Sequence, residues 1–173
     1  MFLAAYIACI PAANWMIGNV GTVCTADGPC LIPVAPGLMA PSGVLLVGLA
    51  LVLRDLVQRR LGIGYALGAI AAGTAVSGLL APLPLVVAST TAFLLSELAD
   101  FAVYTPLQKR GLVLAVLLSG IVGLVADSLV FLWLAFGSLE FLAGQIVGKL
   151  WTVLLALPAI AWLRRRDQRL DLA

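Results

Sequence analysis

The sequence contains no histidine and few charged residues. Only 10% of its 173 residues are charged, against roughly 25% in soluble domains, and 63% are hydrophobic. It has no ATP-binding loop, no extended basic tract, and no histidine to complete a zinc shell with its cysteines. These absences argue against an ATPase, against a nucleic-acid partner and against a metal or other cofactor. The composition indicates an integral membrane protein.

The first twenty residues carry no charged side chain. A secretory signal peptide begins with a basic segment, which is absent here. We therefore interpret Phe2–Val20 as a first transmembrane helix.

Apolar stretches long enough to cross a bilayer, about 20 residues each, occur six times. We predict one domain over residues 1–173, an all-α integral membrane protein built as a six-transmembrane-helix bundle. The predicted spans are Phe2–Val20, Pro41–Val57, Ile63–Leu80, Leu83–Tyr104, Leu112–Phe136 and Leu139–Leu163.

Positive charges lie on only one side of this predicted bundle. The loops on the other side contain no Lys or Arg, only Asp27 and Glu140. By the positive-inside rule, both termini are expected in the cytoplasm. The basic residues follow spans two, four and six: Arg54, Arg59 and Arg60, then Lys109 and Arg110, then Arg164, Arg165, Arg166 and Arg169.

Cys24 and Cys30 flank a short polar turn, Thr25–Pro29, in the first loop that this orientation places outside. A disulfide is plausible in an oxidising compartment, and two free thiols are the alternative. Cys9 lies within the first span, where it is expected only to fill space.

Charged residues inside the apolar stretches point to function. Glu97 and Asp100 interrupt the fourth span, and Asp127 and Lys149 interrupt the next two. A charge near the bilayer centre costs at least ~2.5–3.5 kcal/mol on insertion scales, so such groups are rarely filler. They predict a polar site within the bundle, as in a carrier of small molecules.

One helix face collects Phe93, Glu97, Asp100 and Tyr104, which follow each other at spacings of three and four. Two ionised carboxylates one turn apart repel, and in low dielectric one of them tends to keep its proton. This stripe would suit proton-linked transport or a ligand that brings hydrogen-bond donors.

Asp127 and Lys149 lie at similar depths, ~15 Å and ~14 Å from the turn between their helices. We expect an ion pair, which either holds the two helices together or contacts the ligand directly. Gln145 lies one turn before Lys149, and Asn14 follows Pro11 in the first span. Asp55 and Arg59 are spaced for an i,i+4 pair, structural or gating, at the end of the second span.

Several segments together resemble the queuosine precursor transporter family, also called the vitamin uptake transporter (VUT) or YhhQ family. The resemblance covers nearly the whole chain and the same six-helix order. It is carried by Leu53–Gly62, Ala88–Tyr104, Asp127-Ser128 and Gly148-Lys149.

This resemblance implies import of a 7-deazaguanine, such as 7-cyano-7-deazaguanine, across a bacterial cytoplasmic (inner) membrane for tRNA modification. A carboxylate, Glu97 first, would accept the adjacent N–H donors of the base in bidentate fashion. Asp100 would be a second acceptor or a proton carrier. The implied partners are the deazapurine and the lipid bilayer, and a homodimer is compatible with the sequence. The base carbonyl would take a donor from Lys149, Gln145 or Asn14, and the ring would stack on Phe93, Tyr104 or Trp15.

Three alternatives stay open. The first is a substrate-binding subunit of an energy-coupling-factor vitamin importer, which would dock through the small residues Ala4, Ala8 and Ala12. The second is a membrane enzyme with Glu97 and Asp100 as an acid–base pair, which no other feature supports. The third is a channel, for which the sequence shows no repeated pore-lining pattern.

Overall fold

The computed structural model describes residues 1–24, 29–81 and 83–170, without the side chains of residues 84 and 167–170. The predicted polar turn, with Asp27, therefore lies largely outside the described residues, as do Pro82 and the side chain of Arg169. Within the described ranges the chain forms six α-helices. They are α1 (Phe2–Asn19), α2 (Val44–Leu61), α3 (Ile63–Leu80), α4 (Val86–Leu107), α5 (Leu112–Phe136) and α6 (Leu142–Leu170).

Most helix ends match local signals in the sequence. Gly62 and Gly137 have φ angles of 92° and 60°, which L-residues with side chains rarely adopt, and they end α2 and α5. Three predicted starts are wrong, those of the second, fourth and sixth spans. Helix α4 begins at Val86 because Leu83–Leu85 form a short 3-10 turn, and α6 begins at Leu142 because the residues after Gly137 form a turn.

The loop between α1 and α2 contains a small antiparallel sheet that the all-α prediction did not include. Its strands are β1 (Val23–Cys24), β2 (Cys30–Ala35) and β3 (Leu38–Pro41), in that spatial order. Gly37, with φ of 73°, makes the turn between β2 and β3. Pro33 sits beside an irregularity in the β2–β3 register, a position that proline tolerates. Pro41, the predicted start of the second span, therefore belongs to β3, and helix α2 begins at Val44.

Helix α2 lies at the centre of the bundle and contacts each of the other five helices. Every side chain from Ala50 to Gln58 is buried, although this stretch includes Arg54 and Asp55. A helix buried on all sides has no lipid-facing or water-facing stripe. Its charged groups must therefore find partners on the surrounding helices.

The other helices surround α2 in the order α1, α3, α4, α5, α6, each in contact with the next. The sheet joins the two ends of this series, because β2 contacts both α1 and α6. Ser42 Oγ donates a 2.7 Å hydrogen bond to the Met16 carbonyl, and Trp151 Nε1 donates a 3.1 Å bond to the Val34 carbonyl. We call this side of the molecule the sheet end and the opposite side, where α2 ends in Arg59 and Arg60, the basic end.

Five helices are long and apolar enough to cross a membrane: α1, α3, α4, α5 and α6. Large apolar side chains lie exposed along them, such as Leu79 on α3 and Leu155 on α6. These features indicate a multi-pass helical membrane protein. Helix α2 is not among the five because it carries four charged residues. Six spans with cytoplasmic termini therefore stay a prediction.

Candidate functional site

A cavity opens between the helices and extends from the sheet end to Glu97. Five of the predicted substrate-binding residues line it, contributed by four helices: Asn14, Phe93, Glu97, Asp127 and Gln145. The remaining wall is mostly apolar, with Ile17 and Pro41 at the sheet end and Ala50 and Leu51 deeper in. Two residues of the predicted α4 stripe, Phe93 and Glu97, thus form part of the wall of an internal polar site.

The cavity is narrow in this structure, with a volume of about 60 Å³. By the same measure one water molecule needs roughly 10–15 Å³. Ligand pockets for drug-sized molecules usually measure ~300–1,000 Å³. The structure therefore has space for a few waters at this site, and a two-ring base would need the helices to move apart.

Arg54 organises the inner end of the cavity. Its Nε donates a 3.1 Å hydrogen bond to Oε2 of Glu97, its Nη2 donates to Oδ1 of Asp100, and its Nη1 lies 2.9 Å from Oδ1 of Asp55. All four side chains are at most 1% exposed. We call these residues the Arg54 cluster. A guanidinium offers five N–H donors in a fixed plane, which lets one residue bind several carboxylates from two helices.

The neighbours of Arg54 hold its side chain in place. Its Nη1 donates a 3.2 Å hydrogen bond to Oε1 of Gln58, one turn further along α2. Its guanidinium lies 5.9 Å from the ring centre of Phe101 and 5.6 Å from that of Tyr104. Aromatic faces attract cations at such distances. Arg54, which these contacts hold in place, therefore fixes the position of Glu97 at the cavity.

Two predicted binding residues of α4 lie behind the cavity. Asp100 and Tyr104 do not line it, because they are one and two turns beyond Glu97 on α4, towards the basic end. Asp100 contacts Arg54, and Tyr104 packs beside it. Arg54 thus lies between the two carboxylates that the sequence analysis expected to repel each other.

Asp55 is part of the same cluster. Besides Arg54, it binds Ser119 of α5, whose Oγ donates a 3.0 Å hydrogen bond to Oδ2 of Asp55. These contacts tie Asp55 to the bundle interior. The structural or gating pair of Asp55 with Arg59 stays a prediction.

Lys149 and Asp127 form a second buried ion pair. Lys149 Nζ lies 2.5 Å from Oδ2 of Asp127 and 2.8 Å from Oγ of Ser128, which in turn donates to the Leu124 carbonyl. Lys149 does not line the cavity, whereas the carboxylate of Asp127 does. Asp127 therefore presents the pair to the cavity, and Lys149 balances its charge from behind.

The predicted aromatic surfaces separate into two groups. Phe93 lines the cavity, with its ring centre 6.2 Å from that of Tyr6. Trp15 is 60% exposed and does not line the cavity in this structure, so its stacking role stays a prediction. Successive side chains on a helix point in directions about 100° apart, so Trp15 faces a different side of α1 from Asn14.

The sequence analysis assigned Arg54 only to the basic flank of α2 and missed its place in the site. A signal was present, because Arg54 and Asp55 fall inside the apolar stretch Pro41–Val57. Phe131 and the serines Ser77, Ser89 and Ser96 also line the cavity without having been predicted as ligands.

The sheet lies at the mouth of the cavity and carries a disulfide. The sulfur atoms of Cys24 and Cys30 lie 1.96 Å apart, joining β1 to β2. Cys30 is buried against the bundle, and Gly21 approaches it so closely that an added Cβ would lie 2.8 Å from Cys30 Cβ. This covalent link adds to the contacts that hold the sheet across α1 and α6.

Part of the chain matches a known family. Residues 79–163 match the family model described as "Putative vitamin uptake transporter". The matched segment comprises α4, α5 and most of α6, and so includes Glu97, Asp100, Asp127 and Lys149. No curated protein and no solved structure matches the chain.

The resemblance inferred from the sequence is thus confirmed over just under half of the chain, which is similar to vitamin uptake transporters there. Together with the apolar helices, this match indicates a multi-pass membrane protein that is similar to transporters over the matched residues.

Proposed function

We propose that the protein imports a queuosine precursor, a 7-deazaguanine such as 7-cyano-7-deazaguanine. The observation that carries this proposal is the carboxylate of Glu97, which is 1% exposed, lines the cavity and is held in position by Arg54. A buried ionisable group in a membrane bundle is most often part of a substrate or ion pathway.

The base edge of a 7-deazaguanine matches this carboxylate. Its ring N–H and exocyclic amine are adjacent donors, and a carboxylate accepts both in charge-assisted hydrogen bonds. Asn14 and Gln145 could donate to the neighbouring carbonyl, and the Asn14 amide nitrogen is buried without a hydrogen-bond partner in this structure. Phe93 supplies a flat surface for the ring.

Binding requires the cavity to widen. Helices α1 and α6 meet mainly through the sheet, so this side of the bundle has the fewest direct helix contacts. A small outward movement there would open the site while the Arg54 cluster stays intact. Entry from the sheet end and exit at the basic end would then carry the base inwards, given the orientation predicted from the charges.

Ligand-induced thermal stabilisation of the purified protein tests the proposal. We expect 7-cyano-7-deazaguanine to stabilise the protein, guanine to do so because it shares the donor edge, and riboflavin to have no effect. Stabilisation by riboflavin alone would keep a carrier but overturn the deazaguanine assignment.

Glu97→Gln tests the proposed role of the carboxylate. We expect this variant to fold and to lose the deazaguanine response, because one of the two acceptor oxygens becomes an NH2 group, which cannot accept a hydrogen bond from the base. Glu140→Gln is the matched control, since Glu140 is exposed outside the cavity. An unchanged response in Glu97→Gln would contradict the proposed binding mode.

The energy-coupling-factor alternative is not favoured by the family match. Ala4 and Ala8 are exposed on α1, but exposure alone does not identify a partner. Transport by the protein alone in liposomes would exclude that alternative.

A further inference from the structure

The Arg54 cluster contains more negative than positive groups. Asp55, Glu97 and Asp100 surround one guanidinium, and all four side chains are nearly or fully buried. With every carboxyl ionised, the cluster would have a net charge of −2. Each unbalanced buried charge costs several kcal/mol, so a further positive charge is needed nearby.

The contacts of Arg54 show where that charge belongs. Its Nη1 lies 2.9 Å from Oδ1 of Asp55 and its Nη2 donates to Oδ1 of Asp100, while Oδ2 of Asp100 is buried without a hydrogen-bond partner. The two terminal nitrogens of one guanidinium hold both carboxyl groups, so the groups are close neighbours. Ionised carboxylates only accept hydrogen bonds, so a bond between two of them requires a proton.

Helix α5 packs against the carboxyl groups of Asp55 and Asp100. Ser119 Oγ donates to Asp55 Oδ2, and Gly123 leaves space for Asp100, because an added Cβ there would lie 3.0 Å from Asp100 Oδ2. A proton fits between two carboxyl groups that one guanidinium holds side by side. The charged and titratable groups that face it are Tyr6 from α1, Arg54 and Arg59 from α2, and Glu97 and Tyr104 from α4.

We propose that Asp55 and Asp100 share a proton, and that this proton is the coupling ion of transport. The second part rests on the proposed function. Arg54 connects the two sites, because the same guanidinium binds Glu97 at the cavity and Asp100 beyond it. When the base donates hydrogen bonds to Glu97, the interaction between Glu97 and Arg54 weakens. The guanidinium then stabilises both aspartates as carboxylates.

The proton then leaves. Its O–H bond to the carboxyl breaks, the electron pair stays on the carboxylate oxygen, and a water molecule at the basic end accepts the proton. Asp100 lies about 4.5 Å beyond Glu97 along α4 in that direction. Reprotonation from the sheet end completes a cycle in which one proton enters with each neutral base.

Infrared spectroscopy tests the shared proton without any substrate. At neutral pH we expect the C=O band of a protonated carboxylic acid in the unmodified protein. The band should be lost in Asp55→Asn and in Asp100→Asn, and kept in Asp127→Asn, whose carboxylate is balanced by Lys149. Absence of the band from the unmodified protein, or equal loss in Asp127→Asn, would overturn the proton site.

Uptake into liposomes tests the coupling. With one proton per base, an inward gradient of one pH unit should drive ~tenfold accumulation of 7-cyano-7-deazaguanine, together with internal acidification. In Asp100→Asn we expect exchange of internal for external base to persist, while accumulation and acidification disappear. Asp55→Asn serves the same purpose if the first variant does not fold.

Accumulation that ignores the pH gradient, or that stops when sodium is replaced by choline, would overturn proton coupling. Failure of the unmodified protein to move any deazaguanine would overturn the proposed function instead, and the infrared result would still decide whether the two aspartates share a proton.

Discussion

Replacing Lys149 by methionine should destabilise the protein much more than replacing Lys149 and Asp127 together. Lys149 is fully buried, and its ammonium group binds Asp127 and Ser128 at 2.5 and 2.8 Å. Methionine keeps the length of the side chain but leaves the Asp127 carboxylate without a cation. Removing one partner of a buried ion pair costs about 3–5 kcal/mol, whereas removing both charges is often close to neutral.

A double-mutant cycle measures this difference. The free energy of unfolding would be obtained by SDS titration in mixed micelles for Lys149→Met, Asp127→Asn and the double variant. We expect the double variant to recover at least about 2 kcal/mol relative to Lys149→Met. Lys109→Met is the control, since Lys109 is exposed, and it should change stability by less than about 0.5 kcal/mol.

Two outcomes of the cycle are informative. If the costs of the single changes simply add, the two groups do not interact as an ion pair, and our account of them is refuted. If the double variant is stable, its ligand binding decides the question left open by the sequence. Normal binding would make the pair purely structural, and lost binding would give Asp127 a direct role at the cavity.

Three further predictions follow from single contacts. Phe93→Ala should weaken binding of the base by ~5- to ~150-fold, the range for loss of one aromatic stacking surface, and a change below about twofold by calorimetry would argue against stacking. Gly123→Ala should lower the free energy of unfolding by about 1–3 kcal/mol, because its Cβ would crowd Asp100, whereas Gly64→Ala faces open space and should not destabilise the protein. Replacing both disulfide cysteines by serine should lower that free energy by about 2 kcal/mol, and a reductant should destabilise the unmodified protein but leave the variant unchanged.

The helices were predictable because their signals are local. Spans α3 and α5 begin and end where the sequence predicted, since glycines adjoin the start of α3 and both ends of α5, a proline follows α3, and the residues between are mostly apolar. The sheet was missed because its strands are two to six residues long, two of them contain a proline, and a glycine lies in the turn between β2 and β3. Such segments look like a loop until their pairing partners are known.

The site was only partly predictable, because its arrangement depends on contacts between helices. Glu97 and Asp100 share one face of α4, yet three residues along a helix also rotate the side chain by about 60°. That rotation places Glu97 at the cavity and Asp100 against α5. The link between them, Arg54, comes from a helix more than forty positions earlier in the chain. Spacing within α4 alone could not predict it.

The central position of α2 has a consequence for how the protein is made. Helix α2 carries four charged residues: Arg54, Asp55, Arg59 and Arg60. Its insertion alone into a lipid bilayer would be unfavourable in free energy, because each charge near the centre costs ~2.5–3.5 kcal/mol. Its ion partners Glu97 and Asp100 lie on α4, which is synthesised two helices later. We therefore expect α2 to be shielded from lipid by α1 or by the insertion machinery until α4 has been synthesised and inserted. The residues that form the site would then also be those that complete assembly in the membrane.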